Sequence, residues 1–254
     1  MPRLPSYTSK TRSICKLELI TYCRITLIGL AINIILNSSA LANVTFDGYT
    51  RFIYNHKQKQ LPITIVNHSN EQALVQIQIE QGDQSNTKPV PMAITKPLLV
   101  IPSNAKATTD VLYMGAGLPE DRESYLSLTI LEIPKKVEIA NSMAIALRHN
   151  LKLFFRPQLS STFKDAIDQL HWTKTSKSSV TIKNSSPYYI TLTGISLQNH
   201  HRTSCGEAIE HLMISPYSTS EIATDPCEDI EQVAYSYISD TGTPYSVRAP
   251  LTEI

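Results

Sequence analysis

The sequence lacks the motifs and the charge that several large protein classes require. Neither G-x-x-x-x-G-K-[ST] nor G-x-G-x-x-G occurs, and the nucleophile motif G-x-S-x-G is also absent. Lysine and arginine total 23 against 22 acidic residues, so a role in nucleic-acid binding has no electrostatic support. We therefore predict a protein that is not an enzyme, needs no cofactor and binds neither nucleotide nor nucleic acid.

Long apolar runs are also missing, apart from one near the N-terminus. A basic leader precedes the apolar residues 25–36, and the small-x-small sequence Ala40-Leu41-Ala42 follows them. We predict that residues 1–42 are a cleaved signal peptide and that the mature chain begins at Asn43. An uncleaved membrane anchor is the alternative reading of the same run.

Cysteine is scarce. The chain has four, and only Cys205 and Cys227 lie after the predicted signal peptide. In an oxidising compartment these two favour a disulfide. A metal site that combines the thiols with His200, His201 and His211 is the alternative, but no regular zinc-ligand spacing is present, so we predict no metal.

Short stretches rich in β-branched and aromatic residues dominate the mature chain, and Asn, Ser, Gly and Pro clusters separate them. The stretches that predict strands are 50–54, 61–66, 73–80, 98–101, 109–113, 125–133, 143–155, 179–182, 188–197, 212–214, 220–222, 232–238 and 245–249. Only residues 164–170 have a helical pattern. The linker-like residues 156–161 separate two predicted domains, 43–157 and 161–254, each the size of an immunoglobulin-like β-sandwich.

Residues 141–157, NSMAIALRHNLKLFFRP, are the most informative part of the chain. Alternation of large and small side chains indicates a strand, which is either a core strand near a domain boundary or an edge offered to a partner. Lys152 in this run and Arg51 in TRFIY both interrupt apolar strands, where a charge needs an anion. An internal salt bridge or a snorkelling side chain explains each alone, and together they suggest a shared anion-binding point.

Five segments carry a resemblance to a known family. They are TRFIY at 50–54, LPEDRES at 118–124, Ile133-Pro134, the run 141–157 and YISDTG at 237–242. In these segments the chain resembles the PapD-like periplasmic chaperones of the chaperone-usher pathway. The resemblance covers almost the whole mature chain and is more specific in its first half.

The resemblance implies an all-β protein of two immunoglobulin-like sandwiches in a boomerang arrangement. Such a protein caps pilus subunits in the periplasm by donor-strand complementation, without ATP, and delivers them to an outer-membrane usher. Met143, Ile145 and Leu147 would be the inserted side chains of the donor strand. Arg51 and Lys152 would grip the C-terminal carboxylate of the subunit, which would set the register of the strand pairing.

The same resemblance implies that Glu123, Arg156 and Asp240 form a charged triad between the domains. One geometric difficulty arises, because Lys152 has the opposite parity to Met143, Ile145 and Leu147. A bulge or a strong twist between His149 and Asn150 is one way to reconcile them.

An exposed apolar edge is a liability, so we also predict that the free protein self-associates through the donor strand. Two other functions fit the fold: a secreted two-domain immunoglobulin-like adhesion or ligand-binding protein, and a structural pilus component. The second of these should lack the paired cations and the second domain.

Overall fold

The computed structural model describes residues 44–46, 50–83, 85–135, 143–176, 178–223 and 230–253, and within them the chain is almost entirely β. The described residues of the first half form nine strands: β1 (Val44–Phe46), β2 (Arg51–Asn55), β3 (Leu61–Asn67), β4 (Ala73–Gln81), β5 (Met92–Ile94), β6 (Leu98–Ile101), β7 (Lys106–Tyr113), β8 (Ser124–Ile133) and β9 (Leu147–Arg156). Those of the second half form one short helix and eight strands: α1 (Phe163–Asp168), β10 (Leu170–Ser176), β11 (Ser179–Asn184), β12 (Ile190–Gln198), β13 (Ile209–Ile214), β14 (Ser218–Ala223), β15 (Gln232–Ile238), β16 (Pro244–Pro250) and β17 (Thr252–Glu253).

The first sandwich packs a four-stranded sheet, in the order β1-β3-β7-β5, against a five-stranded sheet in the order β2-β9-β8-β4-β6. The alternation of side chains along β8 shows which face of the five-stranded sheet is buried in this packing. Leu126, Leu128 and Ile130 are fully buried in the core, while Tyr125 and Ser127 between them point to the opposite face. The core therefore lies on one face of the five-stranded sheet, and the other face is available for contacts outside this sandwich.

The second sandwich has its own core, between sheets ordered β14-β11-β10-β17 and β13-β12-β15-β16. Trp172 of β10 is its largest fully buried side chain and contacts Tyr235 of β15, with ring centroids 5.4 Å apart. Helix α1 enters this domain through a capping box, in which Thr162 and Asp165 each satisfy the backbone N–H of the other.

Each sandwich uses a fully buried asparagine where a strand ends. Asn67, the last residue of β3, donates to the backbone oxygens of Glu71, Ile101 and Pro102. Asn184 ends β11 in the same way and donates to the backbone oxygens of Tyr188 and Ser215. These amides satisfy carbonyls that leave the ladders, which the sheets themselves cannot do.

The all-β prediction is confirmed, but one strand begins later than predicted and four strands were not predicted. The strand predicted to begin at Met143 begins at Leu147, and residues 143–146 lie outside the ladders. Strands β1, β5, β10 and β17 were not predicted, because three are only two or three residues long and β10 (LHWTKTS) is rich in polar residues.

The predicted signal peptide, residues 1–42, lies outside the described residues, as does Cys227. Within the described ranges, no helix has the length and apolar character needed to span a membrane.

Candidate functional site

The two cations singled out in the sequence are neighbours in one sheet. Strands β2 and β9 pair in parallel, and their register places Arg51 beside Lys152. On β2 the alternate residues Phe52 and Tyr54 enter the core of the first sandwich, and on β9 Leu153 and Phe155 do so. Arg51 and Lys152 therefore share the opposite face of the sheet, which faces the second sandwich.

Arg51 is buried, with 5% of its surface exposed, and its guanidinium contacts the second domain. Nη2 donates to Thr191 Oγ1 at 2.7 Å, and Nη1 donates to the backbone oxygen of Ile238 at 2.9 Å. The guanidinium carbon lies 4.8 Å from the ring centroid of Phe154, a cation–π contact. Burial lowers the pKa of Arg51, and the charges of Glu123 and Asp240 oppose that shift.

Lys152 is half-buried, and its ammonium reaches across to β13. Its Nζ lies 2.8 Å from Nε2 of His211. An ammonium has three donors and no acceptor, so Nε2 accepts and the proton of this imidazole is on Nδ1. Burial and then the charge of Arg51 lower the pKa of Lys152 to about 8. The site thus holds two cations that burial makes costly, and it favours a negatively charged ligand.

No bulge reconciles Lys152 with the donor residues. The pairing of β8 with β9 runs from Ser124↔Phe155 to Glu132↔Leu147 without a register shift. Leu147 therefore shares a face with His149, whose ring contacts Phe46 of the other sheet in the first sandwich. The bulge suggested by the sequence is wrong, and the opposite parity of Leu147 and Lys152 has a simpler cause: their side chains face different surfaces of the sheet.

The first half of β9 has an open edge. Strand β2 pairs only with residues 152–156, and β8 occupies the other side of β9 throughout. Among the described residues, no strand pairs with the second edge of residues 147–151. Just before this edge, Met143 and Ile145 are 83% and 69% exposed, and Leu147 is 42% exposed. An unpaired edge flanked by exposed apolar side chains is suited to pair with a strand of another protein.

The three residues predicted to form a charged triad lie in direct contact. Arg156 Nε donates to Glu123 Oε1 at 2.6 Å, and its two terminal nitrogens donate to the carboxylate of Asp240 at 2.6 and 2.7 Å. Glu123 Oε2 accepts the backbone N–H of Tyr189 at 2.8 Å. The guanidinium also lies 5.0 Å from the ring centroid of Tyr188. These contacts connect β8 and β9 of the first domain to the second domain.

Burial and charge act against each other in this triad. Burial raises the pKa of Glu123, while the charge and hydrogen bond of Arg156 lower it in part. Burial disfavours the charged form of Arg156, but the hydrogen bonds and charges of Asp240 and Glu123 raise its pKa above the ordinary value. Arg156 is therefore the residue that counteracts the effect of burial on the pKa of Glu123.

The cysteine and histidine predictions have different outcomes. Cys205 is disulfide-bonded, and its predicted partner Cys227 lies outside the described residues. His200 and His201 stack on each other with ring centroids 3.7 Å apart, whereas His211 contacts Lys152. Within the described ranges, no group of three His, Cys, Asp or Glu residues is arranged to hold a metal ion.

The sequence singled out His211 only as a possible metal ligand and gave no signal for Thr191, so the part of this site that comes from the second domain was missed. Thr191 and His211 are the partners of the two cations, and they lie on paired strands, with Thr191 opposite Met213 and Thr193 opposite His211. Ordinary strand residues of these types carry no signal by themselves. Only the packing of the two domains brings them to the cations.

Comparison with known families gives two matches that follow one another along the chain. Residues 46–160 match the family described as pili and flagellar-assembly chaperone, PapD N-terminal domain. Residues 165–248 match the family described as pili assembly chaperone PapD, C-terminal domain.

Individual proteins agree with these matches. The chain is 31% identical over 216 residues to the chaperone protein HifB of Haemophilus influenzae, covering 80% of this chain and 86% of HifB. It is 31% identical over 221 residues to the chaperone protein PapD of Escherichia coli, covering 84% of this chain and 88% of PapD. The crystal structure of the Pseudomonas aeruginosa CupB2 chaperone superposes with a TM-score of 0.68 at 27% identity, covering 80% of this chain and 98% of that one.

Proposed function

The chain belongs to the PapD-like family of periplasmic pilus-assembly chaperones, and we propose that it caps pilus subunits by lending them residues 143–147 as a donor strand. Proteins of this family fold and escort subunits and are not enzymes. In this proposal the chain holds each subunit until an outer-membrane usher receives it.

The open edge of β9 is the observation that carries the proposal. A subunit that lacks a strand exposes unpaired backbone groups, and pairing with this edge satisfies them. The exposed fractions of Met143, Ile145 and Leu147 indicate how much apolar surface remains to be buried. At about 1.5 to 3 kcal/mol for a fully buried side chain, these fractions amount to about 3 to 6 kcal/mol before association costs.

The paired cations supply an end point for the donor strand. A chain-terminal carboxylate that meets Arg51 and Lys152 neutralises two charges that burial makes costly. Because side chains alternate along a strand, a slip of one residue would turn the wrong face of the donor strand toward the subunit. A subunit carboxylate bound at Lys152 would fix the register and prevent that slip. This purpose supports a carboxylate as the ligand.

Lys152→Met is the sharpest test, because Arg51 is buried and makes several hydrogen bonds to the second domain, whereas Lys152 is half-buried and contacts only an exposed histidine there among the described residues. The variant is co-expressed with a pilin from the same chaperone-usher gene cluster, and the recovered complex is quantified. We expect a loss of about 2 to 3 kcal/mol, or roughly 30- to 150-fold in affinity, as for a charge-assisted hydrogen bond. Lys59→Met, at an exposed loop position, is the matched control.

A pilin with one residue removed from its C-terminus provides the complementary test. It should bind the wild-type chain weakly and should not be weakened further by Lys152→Met. If a folded Lys152→Met protein recovers as much full-length pilin as the Lys59→Met control does, the carboxylate anchor is wrong. Surface display of the isolated chain, with binding to glycans or host proteins, would instead favour an adhesion protein.

A further inference from the structure

His211 is the residue of the second domain that contacts Lys152 of the proposed anchor. It lies on β13 opposite Thr193, on the same face as Met213, while Leu212 and Ile214 pack toward the core. The imidazole is exposed, and its only charged neighbour within the described residues that shifts its pKa is Lys152. An incoming ligand can therefore reach both the imidazole and the ammonium.

We propose that His211 is a positioning residue of the carboxylate anchor, which fixes the direction of the Lys152 ammonium and takes up a proton when a carboxylate binds. The proposal rests on the proposed function, since it assigns a third residue to the same site. It also makes subunit capture depend on pH.

Geometry supports the positioning role. Lysine has a flexible four-carbon stem, so a half-buried ammonium needs an acceptor to fix its direction. Nε2 of His211 is such an acceptor, 2.8 Å from Nζ. Once protonated, the same nitrogen becomes a donor. Two donors this close suit the two oxygens of a single carboxylate, which together offer about four lone-pair sites.

When no carboxylate is bound, the charges around His211 and Lys152 oppose the protonation of both groups. Partial burial and then the charge of Lys152 lower the pKa of His211. Arg51 adds a further positive charge from β2 beside Lys152. Two other charged groups of the sheet that contains Lys152, Arg148 of β9 and Glu80 of β4, pair with each other at 3.2 Å. On β13 itself, Glu210 precedes the histidine and is exposed.

A bound carboxylate reverses this balance, because an opposite charge within hydrogen-bond distance favours the protonated forms. Binding then raises the pKa of Lys152 from about 8 and that of His211 from below its ordinary value. A group whose pKa rises on binding contributes fully to the affinity when the pH is below its pKa in the free protein. This contribution is lost as the pH rises through the pKa of the group in the complex. Affinity should therefore fall above about pH 8 through Lys152, and a second, histidine-dependent increase should occur below about pH 6.5.

The experiment uses the full mature chain and sodium acetate as the carboxylate probe, with chloride exchanged for acetate at constant ionic strength. NMR follows the His211 ring and the Lys152 side chain through a pH titration. We expect acetate to raise the pKa of both groups by about 1. His171, exposed on β10, is the internal control and should not respond.

Two variants separate positioning from titration. His211→Gln keeps an acceptor for the ammonium but cannot take up a proton, so it should bind acetate near pH 7.5 about as well as the wild type. It should also lose the increase in affinity at acidic pH. His211→Leu removes the acceptor, and we expect roughly 5- to 10-fold weaker binding at both pH values, as for one lost hydrogen bond.

The outcomes distinguish this inference from the proposed function. If Lys152 responds to acetate while the pKa of His211 does not move, or if His211→Leu binds as tightly as the wild type, the role of His211 is refuted and the anchor stands. If acetate affects neither Lys152 nor Arg51, the anchor itself is wrong. A poorly folded His211→Leu protein leaves the test intact, because the wild-type titration and His211→Gln still decide it.

Discussion

Replacing Arg156 with glutamine should be the most damaging single change in the charged triad. Glu123 is 3% exposed, so the substitution leaves a buried carboxylate without its counter-ion. Breaking a buried ion pair in this way costs about 3 to 5 kcal/mol. Asp240 contributes less, because its side chain is 37% exposed and water screens its charge. We therefore expect a loss of about 3 to 5 kcal/mol in the free energy of unfolding near neutral pH.

The loss should depend on pH in a defined direction. Burial already raises the pKa of Glu123, and removing Arg156 removes the two strongest factors that lower it. An unfolded glutamate has a pKa of about 4.3, so the native variant binds this proton more strongly than the unfolded chain does. Stability then falls as the pH rises from the unfolded pKa to the raised native one. The deficit of Arg156→Gln should be larger at about pH 7.5 than at about pH 5.

Urea unfolding of the wild type and the variant at the two pH values measures this deficit. Hydrogen exchange at the Tyr189 amide, which donates to Glu123 Oε2, gives a local readout. Arg122→Gln is the matched control, because Arg122 pairs with Asp121 on the surface and both side chains are exposed. An exposed pair of this kind contributes little. The reasoning is refuted if Arg156→Gln is no less stable than Arg122→Gln, or if its deficit is the same at both pH values.

Two further predictions concern the donor segment. Ile145→Ala should weaken pilin binding by about 1 to 2 kcal/mol, roughly 5- to 30-fold, because 69% of this residue is exposed and remains to be buried. The control is Leu98→Ala, at a 57% exposed position on β6, which should leave the affinity unchanged. Calorimetry measures both affinities. Equal losses in the two variants would contradict the assignment of residues 143–147 to the donor strand. The free chain should also self-associate through the open edge of β9. Sedimentation at rising concentration should therefore show dimers or larger species for the wild type. A Met143→Glu, Ile145→Glu double variant should remain a monomer. A wild-type chain that remains monomeric at high concentration with this edge exposed to solvent would count against self-association.

Much of the fold follows from local patterns in the sequence. Strands such as β4 and β8 alternate large apolar residues with polar or small ones, and this alternation predicts both the strand and its buried face. Strands β1 and β5 were missed because three residues carry no period that can be measured. The strand predicted from Met143 was too long at its start, because alternation reports which side chains suit a sheet and not whether a neighbouring strand is present.

The candidate site was predictable only where it depends on charge in an apolar strand. Arg51 and Lys152 are conspicuous because an ionised side chain there needs a partner. Their partners Thr191 and His211 are not conspicuous, since polar side chains on the outer face of a strand are common. Their proximity to the cations depends on how two separately folded sandwiches pack. That packing involves contacts more than a hundred residues apart for Arg51 and Thr191, which no local pattern encodes.

The continuous register of β9 explains how one strand can contribute to both of the proposed binding surfaces. Leu147 and His149 lie on the face toward the first sandwich, whereas Lys152, Phe154 and Arg156 lie on the face toward the second domain. Because side chains alternate without a bulge, the distance and orientation between the open edge and the cation site are fixed by the backbone alone. An insertion of one residue between Leu147 and Lys152 would preserve every side chain of both sets. It would nevertheless turn one set to the wrong face, so it should abolish subunit binding while each domain still folds.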